Sequence, residues 1–157
     1  MNHRTLALTA GISYLVIFFA AIFANFMALE SILQTPVETI RDSPMMVRLG
    51  IMAFLITAVF DVIVAWALYE LYKNNPLSNL STWFRIMHAA IMGIAVFALL
   101  QTLSYYYRVV LSQASTFNNI WLIGLFFFGV HLILLGRIIG KPKIIALFGH
   151  CRYYVYG

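Results

Sequence analysis

The stretch LGIMAFLITAVFDVIVAWALYEL, residues 49–71, decides how the whole chain is read. Its only charged residues are Asp61 and, close to its end, Glu70. As a helix rising about 1.5 Å per residue it is long enough to cross a hydrocarbon core roughly 30 Å thick. An open backbone has no hydrogen-bond partners in lipid, so a helix is the form such a segment must take. Outward from it, comparable runs lie at about 6–29, 83–105 and 120–139. The first carries no charge, the third holds Arg85 and His88 in its opening turns, and the fourth contains His131. Pro36, Pro44, Pro76 and Pro142 all fall between or beyond these runs, as expected for a residue that removes a helix hydrogen bond.

Composition agrees. Hydrophobic residues make up 63% of the 157 and charged residues 10%, against about 25% charged in ordinary soluble domains. That excludes soluble globular, disordered and coiled-coil classes, which need polar surface this chain does not have. The formal charge of +5 would suggest nucleic acid in a soluble protein; here the basic residues sit between apolar blocks, so membrane topology accounts for them and no nucleic acid is expected. One cysteine rules out a disulfide framework. The fold class is all-α: a polytopic transmembrane helical bundle with four spans. Residues 1–140 form the four-helix transmembrane domain and 141–157 a short cytoplasmic tail.

His3 and Arg4 ahead of an apolar run imitate a signal peptide, but the run exceeds the roughly 7–15 residues of an h-region and no small-x-small site follows. It reads as a retained helix. The Lys and Arg count sets the orientation. Arg4, Lys73, Arg85, Arg137, Lys141, Lys143 and Arg152 fall on one side, and Arg41, Arg48 and Arg108 on the other. Both termini are therefore expected in the cytoplasm. Tyr105, Tyr106, Tyr107 and Trp121 then belong to the outer aromatic belt, and Tyr69, Tyr72 and Trp83 to the inner one. In the first outer loop, Thr35-Pro36-Val37-Glu38 has the form of a capping box and predicts a short helix to about Asp42. Ser43-Pro44 predicts an early start to the second span. There is no internal repeat of the kind many transporters show.

Four segments carry a family resemblance: AGISYL at 10–15, FDVIVAWALYEL at 60–71, FRIMHAA at 84–90 and GVHLILLG at 129–136. In their order and spacing they resemble a bacterial integral-membrane family defined only as domain of unknown function 4386. The resemblance implies a protein of the bacterial cytoplasmic membrane and no particular activity. It also implies further apolar spans after a segment like KPKIIAL at 141–147, whereas this chain ends on GHCRYYVYG at 149–157. On that ground the tail reads as a truncation or a change of reading frame.

Ionisable side chains inside spans cost about 2.5–3.5 kcal/mol each on insertion scales, so they face the bundle and seek partners. Asp61 lies roughly 15 Å above the inner edge, His88 roughly 8 Å and His131 roughly 12 Å, by the helical rise. Asp61, Arg85, His88 and His131 thus form a candidate intramembrane cluster drawn from three helices. Asp61 with Arg85 is the expected pair, since a guanidinium can hold a carboxylate ionised through two parallel hydrogen bonds. Such a pair reads first as packing specificity and second as a proton-carrying or ligand-binding site. No metal or cofactor is expected; a b-type haem held by His88 and His131 is the minor alternative, since imidazoles on facing helices are its usual ligands. Gly93, Gly124, Gly129 and Gly136 read as places of close helix approach. No G-x-S-x-G, Walker or H-E-x-x-H motif is present. Cys151 between His150 and Arg152 carries no clear chemistry.

These observations favour a non-enzymatic membrane protein with a structural or interaction role, its partners being the bilayer and either a second copy or another membrane protein. The alternative is a proton-linked small-molecule transporter or sensor using Asp61 with Arg85 or the histidines. Orientation is directly testable in a Cys151→Ser background. Cysteines placed at Asn75 and Lys143 should be protected from an impermeant thiol reagent in intact cells, and one at Glu38 should react. Labelling at Asn75 from outside reverses the topology.

Overall fold

The computed structural model describes residues 2–103 and 107–140. The first span is one continuous rod, α1 (His3–Ile22), a π-helical stretch (Phe23–Leu29) and α2 (Glu30–Gln34). A short α3 (Pro36–Asp42) turns the chain into α4 (Pro44–Tyr72), followed by α5 (Pro76–Gln101) and α6 (Tyr107–Ile139). Among the described residues four helices are long and apolar enough to cross a membrane. Proline stands in the opening turn of α3, α4 and α5, where its missing N–H has no helical partner to lose.

The expected short helix after Thr35 is present, as is the early start of the second span. Thr35 does not act through its side chain as an N-cap. Its Oγ1 contacts the Ser31 carbonyl at 3.4 Å and Thr39 Oγ1 at 3.1 Å, so it ties α3 back to α2. On the exposed face of α3, Arg41 Nε donates to Asp42 Oδ1 at 2.8 Å, and that hydrogen bond holds the Asp42 carboxyl below the ordinary carboxylate range.

Two spans begin well before their apolar runs. α5 starts at Pro76 because Asn75 caps it, its side chain accepting from the Leu77 N–H at 3.0 Å. The polar Ser78 and Ser81 are then interior positions of the helix and are buried. Arg85 and His88 therefore do not lie in opening turns; Arg85 stands roughly 14 Å along the helix, level with Asp61 at roughly 16 Å from the end of α4. α6 starts at Tyr107, and its early turns bury Val110, Ala114 and Phe117 against the neighbourhood of α2 and α3. Trp121, which sequence assigns to the outer aromatic belt, lies within α6, half-buried and stacked on Phe117. Tyr105 and Tyr106, assigned to that belt with it, lie outside the described residues, as does the tail at 141–157.

The core occupies the half of the bundle nearer α3, where Phe54 meets Phe117 with ring centroids 4.9 Å apart amid Ala24, Ile32, Val47, Ile51, Val96 and Leu99. α4 and α5 are the inner pair: 44% of each apolar window is buried, against 17% for the first and last spans. α1 packs on α4 and α6 on α5, but among the described residues α1 and α6 scarcely touch. Between them the bundle is open, with a groove lined by exposed Phe18, Ile22 and Phe26 of the first span and by Trp121 of α6.

The close helix approach falls at Gly50, where a methyl group would overlap the side chain of Ala28 in the π-helical stretch. Of the glycines expected to serve this purpose, only Gly124 does so; Gly93, Gly129 and Gly136 face open space. Gly50→Ala should therefore lower unfolding stability in detergent by about 1–3 kcal/mol, the usual cost of overpacking. Adding Ala28→Gly should recover much of that loss in the same thermal assay. A Gly50→Ala protein as stable as the parent would contradict this crossing.

Candidate functional site

Helical periodicity lays the polar residues in columns. Ser81, Arg85 and His88 recur at four and three positions along one face of α5, as Gly124, Phe128 and His131 do on α6. Thr57 and Asp61 share a face of α4, and Tyr14, Ile17 and Ala21 a face of α1. Where these faces meet, Arg85 is 1% exposed and Asp61 2%.

The guanidinium reaches the other three spans. Arg85 Nη2 donates to Asp61 Oδ1 at 2.6 Å, a short charge-assisted bond. Nη1 donates to the Tyr14 hydroxyl oxygen at 2.8 Å and faces His131 Nε2 at 3.1 Å. A guanidinium has no acceptor, so Nε2 of His131 must accept and the ring proton belongs on Nδ1. That nitrogen lies 2.9 Å from both the Ser81 carbonyl oxygen and Ser81 Oγ, where an N–H donor fits. Arg85 Cζ also stands 4.8 Å from the centre of the Tyr14 ring and 5.3 Å from that of Phe128, within cation–π range.

The Asp61–Arg85 pair is thus made through a single hydrogen bond and not the two parallel ones expected from sequence. The second arm of the fork is taken by Tyr14 and His131. The free carboxylate oxygen, Oδ2, faces His88 Nε2 at 3.5 Å, longer than a well-formed hydrogen bond. His88 Nδ1 and Arg85 Nε are buried with no partner. Gly124 lies beside the His88 ring, and a Cβ there would sit 3.2 Å from Nδ1. Buried polar atoms without partners are uncommon, and here two fall within one cluster.

Asp61 and His88 also form the polar end of a cavity of about 150 Å³ bounded by all four spans. Its walls include Ile17, Ala21 and Asn25 on the first span and Trp121, Leu125 and Phe128 on the last. Most of the lining is apolar. The polar residues of the lining on the α3 side bond back to their own helices, Asn25 Nδ2 to the Ala21 carbonyl at 2.8 Å and Thr57 Oγ1 to the Ala53 carbonyl at 3.0 Å.

The structure brings Asp61, Arg85, His88 and His131 together. Tyr14 and Ser81 belong to the same network although neither was singled out from sequence. Ser81 was legible as the position one turn before Arg85 once α5 is started at Asn75-Pro76. Tyr14 had no comparable signal beyond a phenol within an otherwise apolar segment. Both nitrogens of His131 are engaged, so axial ligation of a haem iron by this residue would first have to displace Arg85 or Ser81. Among the described residues no group of three His, Cys, Asp or Glu is placed to hold a metal ion.

A family model described as "Domain of unknown function (DUF4386)" matches residues 9–154. A protein of Archaeoglobus fulgidus described as uncharacterized is 32% identical over 94 residues, which cover 59% of this chain and 51% of the relative. The chain spans about half the length of that relative, which extends the similarity to an archaeon. No solved structure matches.

Removing single members of the Arg85 network should give graded effects. Tyr14→Phe deletes an acceptor of a charged donor and should cost about 1.5–3 kcal/mol. Ser81→Ala leaves the Ser81 carbonyl to hold the His131 N–H and should cost about 1 kcal/mol or less. Thermal unfolding of the two variants in one detergent checks the order; the reverse order contradicts the assigned hydrogen bonds.

Proposed function

We propose that this chain, which belongs to the DUF4386 family, is a non-catalytic membrane module whose buried arginine fixes four spans in one arrangement. The observation that carries the reading is the junction at Arg85, bonded to Asp61 on α4, Tyr14 on α1 and His131 on α6. A lone charge in hydrocarbon is costly, and a charge shared among four helices makes their mutual register the only inexpensive solution. The exposed apolar faces of α1 and α6 are where lipid, a second copy or another membrane protein meets it. Burial takes Arg85 out of the orientation count, but Arg4, Lys73, Arg137, Lys141, Lys143 and Arg152 still outnumber Arg41, Arg48 and Arg108, and on that bias we place both termini on the cytoplasmic side of a cytoplasmic membrane.

A non-enzymatic role is supported by a contact that resembles a nucleophile and its base. Ser81 Oγ lies 2.9 Å from His131 Nδ1, but the far nitrogen of that ring meets a cation. In a hydrolytic triad it meets a carboxylate, which stabilises the imidazolium that forms. An arginine there opposes imidazolium formation.

A second reading, proton-linked transport or sensing, draws support from the cavity that reaches Asp61 and His88. Substitutions at the pair separate the two. If the pair is a clamp, Asp61→Asn strands a buried guanidinium and should cost about 3–5 kcal/mol, whereas Asp61→Leu with Arg85→Met should be nearly neutral. If Asp61 carries a proton, Asp61→Asn resembles its protonated form and the fold should survive intact. Thermal unfolding in detergent reads both; an unchanged Asp61→Asn protein overturns the clamp.

A further inference from the structure

We propose that the cavity between the four spans is a binding site for an uncharged amphiphile of the phenol or quinol class, entering sideways from the bilayer. This goes beyond the clamp, which would hold the bundle together with the cavity filled or empty. Four observations fix the chemistry. The first is size: about 150 Å³ matches an engineered apolar cavity of about the same volume that takes up benzene, so a single six-membered ring fits.

The second is the wall. Phe54, Trp121 and Phe128 present aromatic rings, and Ile17, Ala21, Met92 and Leu125 add aliphatic surface. Water filling this space would need two to four polar partners per molecule, and Asn25 and Thr57 each spend a donor on their own helix. A ring satisfies such a surface better than water does.

The third is the polar end. Asp61 Oδ2 faces His88 Nε2 at 3.5 Å, longer than a well-formed hydrogen bond. A ligand hydroxyl donating to that oxygen would make a charge-assisted bond. The charge on Asp61 is already balanced by Arg85 at 2.6 Å. A cationic head therefore gains little, and an acidic head would set two carboxylates side by side. An uncharged hydroxyl is what remains.

The fourth is the way in. Ala21, Asn25 and Trp121 line both the cavity and an open groove that includes Phe18, Ile22 and Phe26. This groove lies in the gap where α1 and α6 scarcely touch. A hydrocarbon tail attached to the ring would leave along it into the acyl chains without crossing a polar surface.

The test uses the full chain in phosphatidylcholine nanodiscs and para-decylphenol carrying a photoactivatable diazirine in its tail. Labelling should saturate, map to the groove residues Phe18, Ile22 or Phe26, and be competed by unlabelled para-decylphenol. The same tail without the phenol should label these residues only weakly and without saturation. Ala21→Phe, which fills the mouth, should lower saturable labelling by about tenfold or more while leaving thermal unfolding unchanged. Leu125→Trp provides a second plug from the facing helix should Ala21→Phe fail to fold. Absence of saturable labelling, equal labelling by the headless tail, or full labelling in a folded plug variant would each overturn the proposal. None of these results bears on the clamp, which unfolding of the Asp61 and Arg85 variants reads separately.

Discussion

An arginine side chain buried among apolar helices requires an anion and further acceptors within reach, or the helices do not assemble around it. Arg85 meets that requirement with one partner from each of the other spans. The rest of the cluster follows. Ser81 sets the proton of His131 on Nδ1, which frees Nε2 to accept from the guanidinium. Tyr14 supplies both a hydroxyl oxygen and a ring face to the same cation. The charges of Arg85 and Asp61 cancel, so the network adds little net field to the membrane interior.

The apolar half of the bundle is arranged differently. There is no charge to satisfy there, and lipid is as apolar as leucine, so close packing has to supply the association. The first span meets α4 through Ala24, Ala28 and Gly50, small residues that let two backbones approach. Ala24 and Ala28 lie in the π-helical stretch, whose extra residue per turn re-aims the side chains that follow. A span that hugs α4 at this crossing leaves α6 without a close neighbour on its other flank. The lateral opening, with the cavity behind it, is a geometric consequence of the same packing.

The four spans and the Asp61–Arg85 contact were legible in the sequence for a simple reason. Apolar runs of membrane length are rare in other proteins, and charges within them are rarer still. The helix starts were harder to read, because Ser78, Ser81 and the polar residues early in α6 interrupt the hydropathy without interrupting the helix. Starting α5 at Trp83 made Arg85 look shallow, when the Asn75-Pro76 cap places it level with Asp61. Trp121, read from sequence only as a belt residue, also forms part of a cavity wall. The π-helical stretch has no pattern of its own, and Gly50 looked like any other small residue until Ala28 was found opposite it.

The claim that Arg85 joins four spans is tested most directly by solid-state NMR of the protein in lipid bilayers. Arginine guanidinium nitrogens would carry ¹⁵N and aspartate carboxyl carbons ¹³C, with Asp42→Asn introduced to remove the exposed Arg41–Asp42 pair. The account predicts strong dipolar dephasing between Arg85 and Asp61, and further contacts from the same guanidinium to labelled Tyr14 and His131. An Arg85 signal that shows no dipolar contact with Asp61 would contradict it.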